Sequence, residues 1–135
     1  MKPYNYAKHR ITECGLDFTV KTVARLFVEE NSGSMLVKDE EGNYVGMLTD
    51  LVLFNAIADG IDLSDKTLAD IELEPVVTIG KNAGMDEVNE KFNESGSGRL
   101  VMIDGHDRVV GVLKRKNIER FSAYRVARSL VRKGG

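Results

Sequence analysis

Apolar residues along this 135-residue chain fall into short blocks whose period alternates between that of a strand and that of a helix. Ile11 to Cys14 and Val76 to Ile79 are β-branched or apolar runs compatible with strands. After each run the spacing lengthens. Val20, Val23, Ala24 and Phe27 fall at i, i+3, i+4, i+7, and Met85, Val88 and Phe92 at i, i+3, i+7, which predicts a helix with one buried face in each place. Ser32-Gly33 and Ser95 to Gly98 break these helices. Next come two strands around a polar turn: Met35 to Lys38 and Tyr44 to Leu48, then, further on, Leu100 to Ile103 and Arg108 to Leu113. A second helix is predicted after each pair. One starts near Thr49-Asp50, carries Leu51, Leu53, Phe54, Ile57 and Ala58, and stops at Asp59-Gly60, where glycine suits a left-handed position. The other runs from about Lys116 to Arg132. Leu63, Leu68 and Ile71 in the segment between Ile61 and Pro75 predict that it packs down.

The two halves of this pattern are one plan used twice. Sliding the chain by 65 residues aligns Ile11 to Ile57 with the second half without gaps, with identities at Gly15/Gly80, Val23/Val88, Phe27/Phe92, Asp39/Asp104, Gly46/Gly111 and Leu48/Leu113 among others. Glycines and periodic apolar positions stay in register together, as a duplicated backbone requires. The organisation expected is a first repeat at 10–60, a connecting segment at 61–75, a second repeat at 76–125 and a basic end at 126–135. At roughly 60 residues each, neither repeat buries enough surface to be comfortable alone, so a shared core is expected.

Charge changes this picture more than composition does. The formal net charge is −2, yet residues 108–135 hold nine Lys/Arg against Glu119 alone, while residues 1–107 hold ten against twenty Asp/Glu. That separation points to an anionic ligand, an acidic partner or self-association. One cysteine, Cys14, and two histidines, His9 and His106, give no disulfide and no zinc pattern, so a reducing, cytoplasmic setting is expected. No run has the length and apolarity of a membrane span, and neither a Walker-type phosphate loop nor a dinucleotide fingerprint is present.

The β-α-β-β-α order repeated in tandem, with Gly46-Met47-Leu48-Thr49 and Gly111-Val112-Leu113 closing the third strand of each repeat, resembles the CBS domain. Two such domains form a CBS pair, or Bateman module. Thr19 to Ala24, Ser34 to Asp39 with Gly42, Pro75 to Ile79 and Gly98 to Asp104 carry the likeness further. The resemblance implies an α/β (α+β) fold of two repeats packed as a pseudo-two-fold pair. It further implies a regulatory module with no catalytic activity and no required cofactor, binding AMP, ADP, ATP or S-adenosylmethionine in clefts between the repeats. A homodimer and an unknown effector protein are the expected partners.

In that family a Thr or Ser ending the Gly-apolar-x-Thr motif faces phosphate, and an Asp three residues later takes the ribose. The first repeat has Thr49 but Val52 in the ribose position, while the second has Lys114 and Asn117. Asn117 keeps one carbonyl acceptor, and a lost ribose hydrogen bond costs on the order of 1–3 kcal/mol. Arg99, Lys114 and Arg115 are expected to converge on phosphate, and by family analogy the backbone of Val77 and Thr78 reads adenine.

Plainer readings stand beside these. Thr49 also fits a helix N-cap, Asp50 a first-turn acid, and Gly46 and Gly111 a close backbone approach. Cys14 reads as a small buried residue, and Met35, Met47, Met85 and Met102 as core. Degenerate clefts favour a ligand-free interaction scaffold. Arg125, Arg128 and Arg132, at i, i+3, i+7, form a stripe that reads as an exposed face and is suited to an acidic partner, nucleic acid or anionic lipid.

Overall fold

The computed structural model describes residues 2–119. In it the chain forms two compact units, Ile11–Val76 and, as described, residues 2–10 together with 77–119. Each contains one three-stranded sheet. In the first, β1 (Glu13–Gly15) pairs parallel with β2 (Ser34–Lys38), which pairs antiparallel with β3 (Tyr44–Thr49). α1 (Val20–Glu30) is the crossover between β1 and β2, and α2 (Asp50–Ala58) follows β3. The second unit repeats this with β4 (Thr78–Gly80), α3 (Met85–Ser95), β5 (Arg99–Ile103) and β6 (Val109–Lys114), and residues 115–119 begin a helix.

The bounds of all three strands and of the crossover helix recur at the 65-residue shift read from the sequence, as does the start of the helix after the third strand. So do the strand registers and the irregularity that falls between Val37 and Lys38 in β2 and between Met102 and Ile103 in β5. Backbone conformation recurs even where the residue changes. Asn31 (φ 47°) and Gly96 (φ 66°) end equivalent helices in the left-handed region, and Gly42 (φ 86°) and Asp107 (φ 60°) occupy equivalent turns.

Each unit has its own cluster of buried side chains, where a shared core was expected from repeat size. Val20, Val23, Met35, Val37, Leu48, Val52 and Leu68 form one, and Ile79, Val88, Phe92, Leu100, Met102 and Leu113 the other. The connecting segment packs down as expected, burying Leu68 and Ile71, with Leu63 against them. One expectation needs correction. Ala24 is exposed, because α1 turns Val20, Val23 and Leu26 inward instead. In α2, whose inner face the sequence left open, Val52 and Ala56 are buried while Leu51, Phe54 and Ile57 face outward.

An arm precedes the second sheet in space but the first in sequence. Lys8 exchanges both backbone hydrogen bonds with Val112 (2.9 Å each), and Tyr4, Tyr6 and Ala7 pack on the second core. Glu74 does the same with Met47 in the first unit (2.8 and 3.0 Å). These contacts explain the two matched glycines. A β-carbon on Gly46 would lie 2.7 Å from Leu73 Cβ, and one on Gly111 3.1 Å from Ala7 Cβ. Close approach is their role.

Candidate functional site

The expected ligand-contacting residues divide between the units. In the second sheet, Arg99 opens β5 and Lys114 closes β6, and the two are direct antiparallel partners. Side chains so placed stand on one face with β-carbons roughly 4.5–5.5 Å apart, and like charges there repel. Thr78, paired with Val101 two residues along from Arg99, is on the same face and exposed. Ser97 clamps the Arg99 backbone on both sides, accepting from its N–H (3.2 Å) and donating to its carbonyl (2.7 Å). The Nε of Arg99 is buried and has no hydrogen-bond partner among the described residues. A buried donor left unmade costs about 1–3 kcal/mol, more when charged.

Arg115 does not join them. Its Nη2 donates to Asn93 Oδ1 (3.4 Å) and its guanidinium lies 5.4 Å from the Phe92 ring centroid, which directs the side chain onto α3. The expected convergence of three cations is therefore two. Asn117 donates from Nδ2 to the Tyr6 carbonyl at 3.5 Å, leaving its own carbonyl as the acceptor. Val77 gives its carbonyl to the Val101 N–H (2.8 Å), so of the two expected adenine readers Thr78 is the more open.

The first unit treats the equivalent positions differently. Thr49 is fully buried at the N-cap of α2, where its hydroxyl accepts from Val52 N (3.2 Å) and donates to Glu74 Oε1 (2.9 Å). Its only proton is thus already committed to a carboxylate, and the N-cap reading accounts for it. A cavity of about 410 Å³ beside it is lined by Val52, Asn55 and Ala56 with three acids, Asp59, Glu72 and Glu74. At the far end of the same sheet, Glu13 accepts from the Tyr44 hydroxyl (2.8 Å) and pairs with Lys38 Nζ (2.7 Å). Burial raises the Glu13 pKa, but the Lys38 and Tyr44 hydrogen bonds outweigh it and hold the carboxyl below its usual range. Burial, reinforced by that carboxylate, pushes the neighbouring Cys14 thiol up to about 11, which keeps it protonated and inert.

Sequence reasoning missed Glu74, Ser97 and the Tyr6 carbonyl. Each acts through a contact that no local motif encodes, although the acidic and hydroxylic residue types were in view. No metal-binding group of acids, histidines and cysteine occurs among the described residues, and no described helix is long and apolar enough to cross a membrane. The Arg125, Arg128 and Arg132 stripe lies outside the described residues.

Comparison with known families settles what this doubled plan is: residues 6–59 and 68–124 each match the CBS domain. The chain belongs to the CBS-domain family. Among solved structures, a CBS-domain protein of unknown function from Thermoplasma acidophilum superposes with a TM-score of 0.76 at 20% identity, over 90% of this chain and 68% of that one. A CBS pair solved with 5′-methylthioadenosine and S-adenosylmethionine superposes at 0.75 with 20% identity, over 93% and 98%. An uncharacterized protein of Methanocaldococcus jannaschii is 29% identical over 74% of this chain and 32% of its own length. An L-aspartate semialdehyde sulfurtransferase of the same organism is 24% identical over 77% of this chain and 20% of its own. The chain thus spans a third or less of the length of both sequence relatives.

Proposed function

We propose that this CBS pair is a regulatory sensor that binds an adenine nucleotide and passes the resulting change to an effector protein. The observation that carries this reading is the buried, unpartnered Nε of Arg99 directly opposite Lys114. Two cations on one sheet face favour AMP, ADP or ATP, whose phosphates are anionic, over S-adenosylmethionine, whose sulfonium is not. Thr78 and Asn117 supply a hydroxyl and an amide for the uncharged part of the ligand. The chemistry of the module is recognition: ligand acts by differential affinity for two arrangements, which is why an effector is part of the reading. Solved CBS pairs with bound 5′-methylthioadenosine and S-adenosylmethionine support an adenosine-containing ligand.

Isothermal titration with AMP, ADP, ATP, S-adenosylmethionine and 5′-methylthioadenosine tests it. The phosphorylated ligands are expected to bind, and Arg99→Ala is expected to weaken them about 10- to 100-fold, the equivalent of the 1.5–3 kcal/mol of a charged hydrogen bond. No heat from any of the five at millimolar concentration overturns the reading. The alternative is a ligand-free scaffold, favoured by the first unit, where Thr49 is closed by Glu74 and Val52 offers no polar atom. Capture of an effector that is indifferent to added nucleotide would establish it.

A further inference from the structure

Residues 2–10 lie with the second unit, although Ile11, which follows them, belongs to the first. They dock along the edge of β6 that β5 leaves open. Lys8 exchanges both backbone hydrogen bonds with Val112 (2.9 Å each), two residues before Lys114, and Ala7 packs against Gly111. Around this bridge His9 Nδ1 lies 3.3 Å from the Val110 carbonyl oxygen, the Tyr4 and His9 rings meet edge to face at 4.5 Å, and Lys81 Nζ stands 5.4 Å from the Tyr4 ring centroid. Within the arm only Pro3 and Ala7 are buried. An element held mostly by surface contacts and edge hydrogen bonds opens locally, well before its unit unfolds.

The arm also reaches the candidate site. Asn117 donates from Nδ2 to the Tyr6 carbonyl at 3.5 Å. An amide has one donating and one accepting end, so engaging the donor on the arm fixes which way the group is turned and leaves Oδ1 for a hydroxyl. An aspartate in its place would meet the Tyr6 carbonyl with two acceptors and no donor. The first unit has no counterpart. The residue 65 positions before Asn117 is Val52, whose side chain forms no hydrogen bond, and the segment bridged to Met47 reaches Thr49 through the Glu74 carboxylate instead. A link from the edge arm to the ribose-side residue therefore occurs in the unit that carries Arg99 and Lys114.

We infer that the arm is the positioning element of the nucleotide site in the second unit. Docked, it braces β6 and holds the Asn117 carbonyl as the acceptor for the ribose hydroxyls; released, it leaves Asn117 to rotate. This rests on the nucleotide reading above. Because docking and binding share Asn117, each favours the other, and linkage makes the two factors equal.

Titration of the full chain and of Lys8→Pro, which lacks the N–H given to Val112, tests it together with hydrogen–deuterium exchange at the Lys8 and Val112 amides of the full chain. The ligands are the tightest binder among AMP, ADP and ATP, and its 2′,3′-dideoxy form. The full chain is expected to prefer the intact ribose about 10-fold, the effect of one hydrogen bond. Lys8→Pro is expected to bind the intact ligand about 10-fold more weakly and to lose that preference, with unchanged circular dichroism because Lys8 is exposed. Saturating nucleotide is expected to slow exchange at both amides about 10-fold, the same factor read without any variant. General destabilisation would weaken both ligands alike, so a ribose preference that survives Lys8→Pro overturns the inference. So does a full chain with no ribose preference, an affinity that Lys8→Pro leaves unaltered, or exchange that ignores nucleotide; in each case the nucleotide reading stands. A full chain that binds none of the three nucleotides overturns that reading, and this inference with it.

Discussion

One backbone plan, two chemistries: the pair of residues that joins the start of β2 to the end of β3 in the first unit is Ser34 and Thr49, and its copy in the second is Arg99 and Lys114. The first pair is neutral and its threonine is closed by Glu74. The second is doubly positive and holds a buried donor with no acceptor among the described residues. Since strand registers and turn conformations are the same in both units, the difference lies in side chains alone. Duplication leaves the scaffold free to carry a neutral, closed pair in one repeat and a doubly positive pair in the other.

The largest expected effect breaks the likeness between the units. Gly46→Ala places a methyl 2.7 Å from Leu73 Cβ and 3.3 Å from the Glu74 carbonyl, whereas Gly111→Ala meets Ala7 Cβ at 3.1 Å and nothing closer. Urea unfolding should show a loss of about 2–3 kcal/mol for the first and about 1 kcal/mol for the second, the range for overpacking a tight contact. Equal losses would mean that both arms yield alike.

A second pair of variants sharpens the contrast between structure and receptor. Thr49→Val removes the N-cap and orphans Glu74, so stability is expected to drop by about 1–2 kcal/mol while nucleotide affinity stays unchanged. Arg99→Ala is expected to do the reverse, abolishing most of the affinity and leaving the melting temperature level or raised, because it relieves the repulsion with Lys114. Parallel thermal melts and titrations read both. If Thr49→Val costs as much affinity as Arg99→Ala, the division between the units fails.

The smallest effect concerns acid. Glu13, Lys38 and Tyr44 have Thr78, Ile103 and Val109 as their counterparts, so this cluster stabilises the first unit only. Because the Glu13 pKa is lowered on folding, its contribution is present at neutral pH and is lost as pH falls through that lowered pKa. Both partners are about a third exposed, so the contribution amounts to no more than about 0.5 kcal/mol. Glu13→Gln should flatten the acid limb of stability, on the acid side of the ordinary glutamate range, by that amount. An unaltered limb would assign it to Asp104, held low by the backbone N–H groups of Arg108 and His106, and its fellow turn carboxylates.

The repeat was legible in the sequence because glycine spacing and apolar period are backbone properties, and the backbone is what duplication kept. Strands, turns and the crossover helices followed from it within a residue or two. The face of α2 was not legible: period assigns an inside only when one side of a helix is polar, and here Leu51 and Val52 look alike. The site was legible in part. Arg99 and Lys114 were found from their place in the motif, but Arg115 was placed beside them because adjacency in sequence conceals the turn at which β6 ends and the helix begins. Glu74, 25 residues from Thr49, and Tyr6, 111 from Asn117, act across distances that no pattern of neighbours records.

The pairing of Lys8 with Val112 sets an order of assembly on the ribosome. The first unit, Ile11–Val76, has all its strands once residue 76 has emerged. The second waits: the arm that carries Lys8 is made about a hundred residues before β6, and its bridge to Val112 closes only once β6 is available. Until then the backbone N–H and carbonyl of Lys8 are open, and the charged side chains of Lys8 and Arg10 stand beside them.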